Sequence, residues 1–115
     1  MILFNLFSEP LKVVMKPENI LKGKEGDTIT VECSIEGKDG NIFEYLAFEW
    51  IKDLKPIHFD SRIKLFKPNV LHIVSMNKED KGMYQCLVKW REDNQLKVAV
   101  SLELSLYGKC ILECI

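Results

Sequence analysis

The run Asp80-Lys81-Gly82-Met83-Tyr84-Gln85-Cys86 constrains this 115-residue chain more than any other stretch. A cysteine at an inward-facing strand position can bridge two sheets, and a tyrosine two residues before it can lock the corner into that strand by bonding its hydroxyl to upstream backbone. Gly82 permits the tight backbone such a corner needs. Asp80 can bond its own local backbone and accept a cation. A chain built on this run requires an earlier cysteine, a tryptophan buried between the two, and about seven short strands.

Period-2 alternation supplies those strands. Residues 1–10 show no alternation and end at Pro10, so they read as a leader or the tail of a preceding segment. Leu11 to Met15 reads as an edge strand broken at Pro17 and resumed at Ile20-Leu21-Lys22, which lets a first strand pass from one sheet to the other. From Thr28 to Glu36, Ile29, Val31, Cys33 and Ile35 share one face while Thr28, Thr30, Glu32 and Ser34 share the other. After the polar stretch Gly37 to Asn41, Leu46, Phe48 and Trp50 fall on the inward parity, which sets the indole over Cys33. Lys55-Pro56 ends that strand. Short strands follow at Ile63 to Phe66 and at Val70 to Val74, the latter with Leu71 and Ile73 inward, and Met76 caps the core beneath the corner. Met83 to Lys89 carries Tyr84, Cys86 and Val88 inward. Beyond a charged hairpin tip at Arg91 to Asn94, one long last strand is expected, with Val98, Val100, Leu102, Leu104 and Leu106 on a single face. Residues 108–115, with Cys110 and Cys114, lie outside this pattern as a tail.

Composition narrows the function classes. The 16 basic and 17 acidic residues are intermixed and leave a net charge of −1, which gives no support for nucleic-acid binding. Neither Cys33 nor Cys86 has a cysteine neighbour at metal-ligand spacing or a nearby histidine, so no metal is expected, and a structural disulfide, which implies an oxidising compartment, explains them better than zinc. Met1 to Phe7 lacks the basic start and long apolar run of a signal peptide, and no run approaches the ~18 apolar residues of a membrane span. A chain whose cysteines ask for export is therefore expected to be one module of a longer secreted or membrane-attached protein, with no membrane insertion of its own. His58 and His72 are the only histidines. Neither stands beside a serine or cysteine in a nucleophile motif, and no glycine-rich phosphate loop exists, so the chain reads as a non-enzyme without a cofactor.

Cys33, Trp50, Leu71-x-Ile73 and Asp80-x-Gly82-x-Tyr84-x-Cys86 together resemble an immunoglobulin domain over residues 11–107. The resemblance implies an all-β sandwich of two antiparallel sheets with Greek-key connections. The 36 positions from Trp50 to Cys86 are too few for the extra strand pair of a variable-type domain, which points to the intermediate or I-set class. Within that class, Lys78 to Cys86 and the long apolar last strand look like a module of an arthropod-type Down syndrome cell adhesion molecule. Those proteins are multi-domain surface receptors that bind copies of themselves between cells. The resemblance therefore implies an extracellular adhesion module whose partners are proteins, including the same protein on another cell, and neighbouring immunoglobulin domains. It also implies a Cys33–Cys86 bridge with Trp50, Leu71, Ile73 and Tyr84 in the core, and an Arg62–Asp80 ion pair across the bottom of the sandwich. Alternatives within the fold are a structural module of an intracellular muscle array, with its core cysteines reduced, and a ligand-binding module of a receptor kinase.

On the face of the sheet holding Trp50 and Cys86, the outward apolar positions are expected to be Ile51, Met83, Leu87 and Ala99, set among Glu49, Lys89, Lys97 and Glu103. These four are the candidate interface residues. The opposite sheet offers Thr30, Glu32, Lys64 and His72. No Asn-x-Ser/Thr sequon shields either face. If the tyrosine corner forms, Tyr84→Phe lowers stability by about 1 kcal/mol or more, and an unchanged denaturation midpoint would show that it does not.

Overall fold

The structure is a computed structural model that describes residues 12–36, 46–92 and 94–108. The readings of residues 1–10, of the polar stretch Gly37 to Asn41, and of Cys110 and Cys114 fall outside the described residues.

Among the described residues, ten strands form two packed sheets. They are β1 (Lys12–Lys16), β2 (Ile20–Gly23), β3 (Ile29–Glu36), β4 (Leu46–Lys52), β5 (Lys55–Pro56), β6 (Ile63–Lys67), β7 (Val70–Ile73), β8 (Gly82–Glu92), β9 (Gln95–Val100) and β10 (Leu104–Gly108). One sheet has the order β1-β3-β7-β6, and the other the order β2-β10-β8-β4-β5 with β9 also paired to β8. Strands distant in sequence thus lie side by side, β3 on β7 and β4 on β8, which is the Greek-key arrangement of a sandwich. The first strand does switch sheets. β1 runs antiparallel to β3, and after a cis Lys16-Pro17 peptide β2 continues in the same direction beside β10. β2 and β10 are therefore parallel, the one such pair among the described strands of otherwise antiparallel sheets. The relative sense is set by the neighbour, since β10 runs opposite to β3.

The core follows the inward parity. Ile29, Val31, Cys33, Trp50, Leu71, Ile73, Met76, Tyr84, Cys86 and Val88 are all buried. Trp90 joins them at the next inward position of β8, a residue the sequence reading stopped short of although its parity was the same. The buried indole has its polar edge satisfied, because Trp50 Nε1 donates to the Pro68 carbonyl at 3.1 Å. Lys55-Pro56 does more than end β4. It turns back as β5 and pairs with Ile51 and Lys52.

The last strand is where alternation misleads. Val98, Val100 and Leu102 are 54%, 50% and 78% exposed, whereas Leu104 and Leu106 are buried, so the five do not share a face. Leu87 pairs with Val100 and Tyr84 with Leu104: β8 advances three residues while its partner advances four. That one-residue excess is a β-bulge, and a register slip of one residue sends every preceding side chain to the other face. Ser101 makes the slip possible. Its Oγ accepts the Cys86 N–H at 2.9 Å, and its own N–H donates to the Cys86 carbonyl at 2.9 Å. A side-chain hydroxyl here replaces a backbone carbonyl in the ladder. Ser101 is buried at 3% exposure, so Ser101→Ala leaves the Cys86 N–H without an acceptor and is expected to cost about 1–2 kcal/mol in chemical denaturation.

Candidate contact surface

The chain's polar chemistry concentrates in two places, the corner under β8 and the outward face of the larger sheet. At the corner, Asn77 opens a short 3₁₀ turn at Lys78–Asp80 by accepting the Glu79 N–H at 2.9 Å. Asp80 is the hub. Its carboxylate takes two bonds from the Arg62 guanidinium at 2.7 and 2.8 Å and one from the Asn77 N–H at 2.8 Å, while its carbonyl accepts the Tyr84 hydroxyl at 2.5 Å. Arg62 reaches it from the loop before β6 and also donates to the Val74 and Ser75 carbonyls. The Asp80 side chain is 2% exposed and that of Arg62 28%, so the pair is a partly buried bidentate bridge.

Burial by itself pushes the Asp80 carboxyl upward, but the Arg62 bonds, the Asn77 N–H and the nearby positive charges outweigh it and hold Asp80 below its ordinary value. The same bonding raises Arg62. Tyr84 is pushed well up, first by burial and then by the charges of Asp80 and Asp53. The phenol is thus held as the neutral donor that the corner needs.

Gly82 has a requirement beyond backbone freedom. Asp53 and Leu54 form a two-residue turn between β4 and β5, both at positive φ. That turn is fastened to β8 by Asp53 N–H to the Met83 carbonyl at 2.8 Å and by Met83 N–H to the Asp53 carboxylate at 3.0 Å. A Cβ on Gly82, whose φ is +155°, would stand 2.8 Å from that carboxylate. Lys52 closes the same corner from β4, with its ammonium on the Glu79 carbonyl and 5.9 Å from the Tyr84 ring centre.

On the outward face, Ile51 and Leu87 are half-buried and Met83 is 38% exposed. Ala99 is a correction. It pairs with inward Val88 and packs on the core, because the bulge at Ser101 sets β9 in the opposite phase to that expected. The outward side of β9 is instead Leu96, Val98 and Val100, beside Arg91, Lys89 and Leu87 of β8, while Gln95 and Lys97 are exposed as well. Lys89 also pairs with Glu49 of β4 at 2.5 Å. A signal for β9 existed in its Leu-x-Val-x-Val pattern, but its facing could not be read without the bulge. At the far edge of the sandwich, Phe48, Ile51, Leu54, Ile57, Phe59 and Leu65 line an open apolar groove of about 270 Å³. On the opposite sheet, His72 is engaged in a stack with Phe66, with ring centres 5.3 Å apart. Among the described residues, no three His, Cys, Asp or Glu side chains come together to hold a metal. Nor is any helix long and apolar enough to cross a membrane.

Comparison with known proteins agrees with this geometry. The family model of the immunoglobulin I-set domain matches residues 11–104. Human HEPACAM family member 2 is 40% identical over 82 residues, 70% of this chain, which spans only 16% of that protein's length. Among solved structures, the N-terminal four immunoglobulin domains of Dscam1 isoform 7.44 are 32% identical with a TM-score of 0.53, over 84% of this chain and 21% of that one. The insect immune protein hemolin, described with a domain arrangement bearing on homophilic adhesion, is 25% identical with a TM-score of 0.62, over 84% of this chain and 24% of its own.

Asp80 supplies a pH test of the corner. Because its folded pKa is depressed, its contribution is fully present above the unfolded value near 3.9 and disappears as pH falls through the folded value. Asp80→Asn is expected to cost about 2 kcal/mol at neutral pH, and the gap between mutant and parent melting temperatures should begin to narrow below about pH 4 and close only below the depressed folded value.

Proposed function

The chain belongs to the immunoglobulin I-set family, and from that premise we propose that residues 11–107 are a non-enzymatic, extracellular recognition domain of a cell-adhesion receptor. It is one of several immunoglobulin domains in a longer chain, and its partners are proteins, including copies of the same receptor on a neighbouring cell. The observation that carries this reading is the Cys33–Cys86 disulfide, with both cysteines at 0% exposure and their Cα atoms 6.3 Å apart. A bridge of that kind is made and kept in oxidising compartments, which supports export. The intracellular-array alternative expects two thiols there instead.

The likeness to Dscam1 and to hemolin supports a self-recognition role, since hemolin's own description concerns homophilic adhesion. Exposed aliphatic residues on the larger sheet give the domain a surface to contribute. In such a domain Asp80, Arg62 and Tyr84 maintain the scaffold, and recognition belongs to the outward side chains.

Bead clustering tests the proposal. Fluorescent beads coated with the oxidised chain are expected to cluster with one another and to ignore beads carrying an unrelated I-set domain. Beads that stay dispersed at high coating density would remove the self-contact role.

A further inference from the structure

We propose that β9 is a self-pairing edge: two copies of the chain join antiparallel, β9 to β9, about a two-fold axis through Val98. This names the surface for the self-contact reading above and rests on it. β9 is hydrogen-bonded to β8 on one side, and among the described residues no strand pairs with its other side, because β2 takes that edge only alongside β10, from Ser105 onward. A strand edge left open presents backbone donors and acceptors to another chain. Here the edge is also apolar, with Leu96, Val98 and Val100 at 60%, 54% and 50% exposure on one face.

Symmetry and charge select the register. In a two-fold antiparallel pair, residue i meets j and j meets i, and only a register centred on a residue keeps like faces together. Centred on Val98, the pairs are Leu96 with Val100, Val98 with Val98 and Lys97 with Ala99. All three aliphatics then lie on one continuous face. Centred on Lys97, two ammonium groups meet on the axis, which is unfavourable for directly opposed like charges. Centred on Ala99, the pairing runs past Val100 into the bulge at Ser101, where the strand has ended. Lys97 thereby disfavours the register centred on itself.

The area fixes the strength. Three exposed aliphatics, Leu96, Val98 and Val100, offer on the order of 250 Å² per copy, about a third of what each side of a stable complex buries. The pair is weak between isolated domains. It becomes effective where many copies face one another on two surfaces, through avidity.

The test is a cysteine series in the 115-residue chain with Cys110→Ser and Cys114→Ser, leaving Cys33–Cys86 in place. Under mild oxidation, Val98→Cys should give an intermolecular disulfide dimer at least tenfold faster than Leu96→Cys or Val100→Cys alone. An equimolar mixture of the last two should cross-link to each other. Equal rates across the series, no dimer at all, or a cross-link only to an unlike protein in cell extracts would each overturn the proposal. Val98→Lys should raise the dimer dissociation constant at least tenfold in sedimentation while leaving the melting midpoint in place. If beads carrying Val98→Lys still cluster, the β9 edge is wrong and the self-contact reading stands; if beads carrying the parent chain never cluster, that reading fails.

Discussion

The bond between Cys33 and Cys86 is the constraint from which the rest of the sandwich takes its register. It joins β3 in one sheet to β8 in the other, and each neighbour of the two cysteines is placed relative to it. Met15 pairs with Cys33 from β1, Trp50 pairs with Cys86 from β4, and Ser101 takes both backbone groups of Cys86. Asn69 does the corresponding work on the other sheet, accepting the Cys33 N–H through its carbonyl and returning its own amide to the Cys33 carbonyl. The two cysteines are 53 positions apart, and closing a loop of that length removes about 4 kcal/mol of unfolded-state entropy by the chain-entropy estimate. For a domain of this size that is a large share of the total.

The lower end of the sandwich is closed by polar groups instead. Apolar residues fill the middle, but the chain must still cross from β7 to β8, and the crossing leaves backbone groups to be satisfied. Asp80 does this with one side chain and one carbonyl, tying the 3₁₀ turn, Arg62 and Tyr84 into a single unit. A buried carboxylate is tolerable only because its charge is matched by a bidentate partner. The Asp53 turn presses on the same corner from β4, and this is why a side chain cannot be accommodated at Gly82.

Much of this was legible in the sequence, and the remainder was not for identifiable reasons. Cys33, Trp50, Leu71, Ile73, Tyr84 and Cys86 announce themselves because each sits in an uninterrupted alternation or in the Asp80-to-Cys86 run that resembles an immunoglobulin domain. Trp90 had the same parity and was missed only because the strand was ended too soon. The parallel pairing of β2 was not legible, since a sheet switch leaves the residue pattern unchanged. The facing of Ala99, Val98 and Val100 was misread because alternation assumes one residue per rung, and Ser101 breaks that assumption with a hydroxyl that looks, in the sequence, like any other outward serine. Contact surfaces are the least legible of all: they are made of exposed side chains, which folding constrains least.

The bulge at Ser101 separates what β9 and β10 are made of from what they show. Both strands carry aliphatic side chains at alternate positions, yet one buries them and the other displays them, and the difference lies in a single extra residue between two ladders. The outer chemistry of this sheet is thus stored as a reading frame. Adding or removing one residue among 101–103 would exchange the two sides of β9, turning Leu96, Val98 and Val100 inward and Ala99 outward without replacing a side chain.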